Sequence, residues 1–156
     1  MNTTRRTVLK GATASGVLAG LIATGALRPT QVLAAEWNKA AFESKDATAA
    51  LKGIGAAAAT ESKDLVIKVP DIAENGAVVP VDVTSTIPNT SSIVIMVVRN
   101  PFPLSAQFDF TNGALPEVSA RLKLNETSMV RALAKADGKF YSVQKEVKVT
   151  VGGCGG

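Results

Sequence analysis

Two hydrophobic rhythms divide the chain. Between residues 35 and 62, Trp37, Ala40, Ala41 and Phe42 group near helical spacing, and the alanine-rich stretch from Ala47 to Ala59 is broken by Gly53 and Gly55. This pattern predicts two short helices joined by turns, with Trp37 and Phe42 as packing anchors. From Asp64 onward the rhythm is that of strands. Leu65-Val66-Ile67-Lys68-Val69 stops at Pro70, and Ala77 to Val83 follows the turn signal Asn75-Gly76. Ile93-Val94-Ile95-Met96-Val97-Val98 is apolar throughout, which predicts a strand covered on both faces, in a sandwich core or against a partner subunit.

Residues 116–124 alternate cleanly, with Val118, Ala120, Leu122 and Leu124 on one face and Glu117, Ser119, Arg121 and Lys123 on the other. Met129 to Ala136 and Phe140 to Val151 flank Asp137-Gly138, the signature of a tight type I′ hairpin. The last strand turns Tyr141, Val143, Val147, Val149 and Val151 to one side. Pro101 and Pro103 around Phe102 predict a crossover loop, because proline cannot serve a central ladder. About seven short strands in roughly 90 residues predict a mainly β fold, an immunoglobulin-like antiparallel β-sandwich preceded by short helices. A small barrel is the alternative.

The first 34 residues have a different character. A polar stretch ending Thr4-Arg5-Arg6-Thr7-Val8-Leu9-Lys10 precedes an uncharged Gly/Ala-rich run from Gly11 to Leu27, and Val32-Leu33-Ala34 offers a small-residue cleavage site. The paired arginines resemble a twin-arginine export signal, with an uncleaved anchor as the alternative. The expected organisation is therefore a signal at 1–34, a helical segment at 35–62, a β-sandwich at 63–151 and a terminal arm at 152–156.

Composition sharpens this picture. The chain carries 17 Lys+Arg against 13 Asp+Glu, but four of the basic residues, Arg5, Arg6, Lys10 and Arg28, lie in the signal. The mature chain is balanced by count, so its charge gives no reason to expect a nucleic-acid partner. There is no histidine and one cysteine among 156 residues. That excludes His-based nucleophile pairs, His-ligated metals and an internal disulfide. No cofactor and no metal site are expected.

The cysteine stands in Gly152-Gly153-Cys154-Gly155-Gly156. Glycine is the most conformationally permissive residue, so Gly152, Gly153, Gly155 and Gly156 predict a flexible arm that leaves the Cys154 thiol unobstructed. From Val151 the arm reaches about 10 Å when extended. No basic residue lies within five positions before Cys154, so nothing local lowers the thiol's ordinary pKa. A covalent handle fits better than a self-activating nucleophile, and with no resolving cysteine an oxidoreductase is disfavoured. An intermolecular disulfide and an incidental cysteine are the other readings.

The paired-arginine leader, the segment from Pro70 to Val81, Arg99-Asn100-Pro101 and the terminal Gly-Gly-Cys-Gly-Gly together resemble the SoxY family, sulfur-carrier subunits of the thiosulfate-oxidising Sox system. The resemblance implies that the chain is not an enzyme. It implies that Cys154 is conjugated to thiosulfate by a c-type haem protein. A dimanganese hydrolase then releases sulfate, and a sulfur dehydrogenase oxidises the remaining sulfane sulfur. It further implies a heterodimer with a SoxZ-like subunit, folded export of the pair to the periplasm, and no membrane attachment after signal cleavage. Ile93 to Val98 and Phe108-Asp109-Phe110 are candidates for the partner face, with core packing as the competing use. Arg99, Arg121 and Arg131 are isolated at strand edges, where arginines are usually solvated. The rival from another class is a non-catalytic periplasmic sandwich serving as an interaction or assembly module.

Overall fold

The computed structural model describes residues 38–151. The expected signal at 1–34, Trp37 and the tail residues Gly152, Gly153, Cys154, Gly155 and Gly156 lie outside the described residues. Two short helices come first, α1 (Lys39–Phe42) and α2 (Ala47–Gly53). Each is started by a side chain that accepts an otherwise orphaned N–H: Asn38 Oδ1 from Ala41 at 3.2 Å, and Asp46 Oδ1 from Ala49 at 2.7 Å. Gly55, with φ of 77°, ends α2, and the Ala56 N–H returns to the Leu51 carbonyl at 2.8 Å. This is a Schellman closure, which needs a residue at ease in the left-handed region. Asn38 Nδ2 also donates to the Gly53 carbonyl at 2.8 Å, tying the two helices together.

Nine strands follow among the described residues: β1 (Thr60–Glu61), β2 (Leu65–Lys68), β3 (Ile72–Asn75), β4 (Val79–Ser85), β5 (Thr90–Val97), β6 (Leu104–Asp109), β7 (Glu117–Leu122), β8 (Ser128–Ala136) and β9 (Lys139–Val151). They form two sheets. The larger runs β1-β9-β8-β5-β6, with β3 also paired to β9, and the smaller runs β2-β4-β7. The protein is mainly β, with two stacked sheets preceded by short helices. Leu65, Val79, Val81, Val83 and Val118 from the smaller sheet share one buried cluster with Ile93, Ile95, Val97, Val130, Ala132 and Val147 from the larger. Burial of these alternate positions is what holds the layers together.

The apolar run in β5 is explained by two different covers. Ile93, Ile95 and Val97 face the sandwich core, whereas Val94 and Met96 join Ala41, Ala50, Ala56, Leu104 and Leu133 in a second cluster under the helices. The chain's own helical segment covers Val94 and Met96 on the outer face of β5, so core packing accounts for these positions. Phe108 and Phe110 are partly buried and pack against the main core, and Phe42 packs in the second cluster as expected of an anchor. Alanines at the contact let the helices approach closely: a Cβ added to Gly53 would lie 3.1 Å from Ala41 Cβ.

The hairpin at Asp137-Gly138 has φ of 49° and 75°, as a type I′ turn requires. Two pairings depart from the expected antiparallel order. β1 runs parallel to β9 through Thr60↔Tyr141, and β3 runs parallel to it through Ile72↔Lys148, Ala73↔Val149 and Asn75↔Val151. Asn75-Gly76 is a turn, but it links β3 to β4, which lie in different sheets, and does not close a hairpin. The strand β6 is also additional to the expected set, and it corrects the expected crossover: Pro101 and Pro103 lie in the connection between β5 and β6, which pair antiparallel as neighbours in one sheet.

Candidate functional site

β9 is 13 residues long and outruns its antiparallel neighbour. The last pair with β8 is Ser128↔Val147, so the final residues of β9 would present unpaired backbone groups without another partner. β3 supplies it. The Lys148 N–H donates to the Asp71 carbonyl at 2.9 Å, and the Gly76 N–H donates to the Val151 carbonyl at 2.8 Å. On the β3 side the Thr150 hydroxyl also donates to the Glu74 carbonyl at 3.0 Å, and on the opposite side of the strand the Val149 N–H donates to Thr127 Oγ1 at 2.9 Å. Val151, the last described residue and the one that carries the expected arm, is therefore held by the fold.

The loops around this end are joined to one another. The Leu124 N–H donates to the Gly76 carbonyl at 2.7 Å. Asn100 spans the β5–β6 and β7–β8 connections: its Nδ2 donates to the Lys123 carbonyl at 2.7 Å, and its Oδ1 accepts the Asn125 N–H at 3.1 Å. The segment from Pro70 to Val81 and Arg99-Asn100-Pro101, far apart in the chain, are thus each bonded to the same β7–β8 connection. Leu124 is completely buried beneath them, while Ile72, Val78 and Val151 stay more than half exposed.

Ahead of this end, where the chain enters β3, the charged centre is Lys145. Its Nζ lies 2.9 Å from Asp71 Oδ1 and donates to the Val69 carbonyl at 3.1 Å. The hydrogen bond from Lys145, then its charge, hold the Asp71 carboxyl below the usual carboxylate range, with Lys148 adding a smaller pull. Of the isolated arginines, Arg131 is bound to Gln144 Oε1 through Nε at 3.1 Å and Nη2 at 2.7 Å, remote in register from the β9 terminus. Among the described residues no group of three or more His, Cys, Asp or Glu side chains is placed to hold a metal, and no helix is long and apolar enough to cross a membrane.

Thr127, Thr150 and Asn100 are the residues at this end that the sequence singles out for no role, and Gly76 is marked there only as part of a turn. Asn100 lies inside a segment that carries the family resemblance, but its work is done on backbone groups distant in sequence, which no local pattern announces.

Comparison with known proteins decides the family. The family described as "Sulfur oxidation protein SoxY" matches residues 51–154. The chain belongs to the SoxY family. The match begins within α2, spans every strand and runs through the tail to the position of Cys154. Among solved structures, the sulfur carrier protein SoxY from Chlorobium limicola f thiosulfatophilum is 40% identical, covers 61% of this chain and 88% of its own, and superposes with a TM-score of 0.55. None of the curated proteins compared matches the chain. Membership of the SoxY family makes this a carrier protein rather than an enzyme.

Proposed function

We propose that the protein is a periplasmic covalent sulfur carrier, with Cys154 as the attachment point. The observation that carries the reading is the reach of the SoxY match to residue 154, where the chain's one cysteine stands between pairs of glycines. The 40% identical relative is a sulfur carrier by its own description. The anchored end of β9 supports the same reading, because a carrier arm needs a fixed root from which to present its load.

The chemistry this assigns to Cys154 is passive. A haem partner removes an electron pair as the cysteine sulfur bonds to the sulfane sulfur of thiosulfate and the thiol proton leaves, giving a cysteine S-thiosulfonate. A hydrolase then adds water across the terminal sulfur–sulfur bond, so that sulfate departs and a persulfide remains. Further oxidation of that sulfur and a second hydrolysis restore the thiol. Each step belongs to a visiting enzyme, and the carrier contributes a sulfur whose neighbouring residues have no Cβ. The leader supports export by the twin-arginine route in the folded state, together with a SoxZ-like companion subunit. Replacing Cys154 with Ser tests the reading: thiosulfate-dependent oxidation is lost while the thermal melting curve stays that of the parent. Retained oxidation would leave the assembly-module alternative standing.

A further inference from the structure

We propose that β3, with Thr127, is a clamp that sets the working length of the carrier arm. The proposal rests on the carrier reading of Cys154 and adds which residues position the arm. Antiparallel pairing with β8 stops at Val147. Were that the last fixed residue, Cys154 would sit at the end of seven residues, a span of up to about 24 Å. β3 carries the pairing on to Val151, leaving three residues and a span of about 10 Å.

The clamp's composition suits this use. β3 buries one side chain, Ala73, and leaves Ile72, Glu74 and Asn75 exposed, so its contribution to the core is slight for a four-residue strand. What it does contribute is backbone pairing along the terminal residues of β9, reinforced by the Thr150 hydroxyl on the Glu74 carbonyl and by the Gly76 N–H on the Val151 carbonyl. Thr127 holds Val149 from the opposite side. Every residue released from this grip would have to be immobilised again when the arm engages a partner, and the effective concentration of the thiol at the partner's centre falls as the tether lengthens. Thr127, Thr150 and Gly76 are positioning residues in this scheme, since they act on the arm's root and touch no reacting atom.

The test uses the full chain with its companion subunit, loaded with thiosulfate, and the purified sulfate-releasing hydrolase. One variant combines Thr127→Val with Thr150→Val, and a second inserts two glycines between Val151 and Gly152. The double variant is expected to exchange the amide hydrogens of Lys148 to Val151 faster, and to raise KM about three- to tenfold with kcat unchanged. The insertion leaves those amides protected and raises KM about twofold. Faster exchange without a change in KM, unchanged exchange in the double variant, or an insertion that leaves KM unaltered would each overturn the clamp. The mass of the loaded C-terminal peptide is read in parallel: an adduct on Cys154 upholds the carrier reading whatever KM does, and its absence from the parent protein defeats that reading instead.

Discussion

The side-chain amide of Asn100 donates to the carbonyl of Lys123 at 2.7 Å, binding together two loops that are 23 residues apart. The same side chain accepts the Asn125 N–H, so one residue satisfies groups on both sides of the loop it holds. Asn100→Ala removes both bonds, and its expected cost is about 1–2 kcal/mol in chemical denaturation. Asn100→Asp keeps the acceptor but loses the donor to Lys123, and should fall between the alanine variant and the parent.

The helical segment is bound by a small apolar cluster. Leu133 is completely buried on the outer face of β8, with Val94 and Met96 beside it in the same cluster. Leu133→Ala should cost about 2–4 kcal/mol by leaving a cavity under the helices. Val94→Asp would bury an unpaired charge there. Limited proteolysis should then cut between α1 and α2, around residues 43–46, well before the sandwich is attacked.

At the β8–β9 hairpin, Gly138 holds a φ of 75° with open space where a Cβ would project. Any penalty for substitution is thus a backbone penalty. Gly138→Val should lower stability by about 1–2 kcal/mol, whereas Gly138→Asn should be nearly neutral, because asparagine tolerates the left-handed region. Thermal melting of the two variants separates these outcomes.

Much of this fold is legible in the sequence, and the illegible parts share a cause. Asp137-Gly138 predicts its hairpin because the turn chemistry is local. The two-sided burial of Ile93 to Val97 is also legible, but its cover is not: the alanines of α1 and α2 carry too little apolar character to mark them as the lid. β6 alternates at Leu104, Ala106 and Phe108, yet the prolines just before it draw attention to a loop. β3 is invisible for a physical reason, since one buried alanine in Ile72-Ala73-Glu74-Asn75 leaves no period to read. At the site, Cys154 stands out by composition and place, whereas the bonds that tie β9 to Glu74, Gly76 and Thr127 join residues that are distant in sequence.

The Asp71 carboxyl should titrate below about 4, the ordinary carboxylate value, because Lys145 donates a hydrogen bond to it and attracts its charge. A depressed folded-state pKa means that the link's contribution is present above the unfolded value and is lost as pH falls through the folded one. Carbon-detected NMR titration of Asp71 should show the low midpoint, and Lys145→Met should return it toward about 4. The amide of Lys148, which donates to the Asp71 carbonyl, should exchange faster in that variant.

The central claim is that Cys154 carries sulfur covalently, and the mass of the C-terminal peptide from cells oxidising thiosulfate tests it most directly. The account predicts a thiosulfonate or polysulfide adduct on Cys154 that disappears when thiosulfate is withheld. An unmodified thiol, or a disulfide joining two copies of the chain and nothing else, would contradict it.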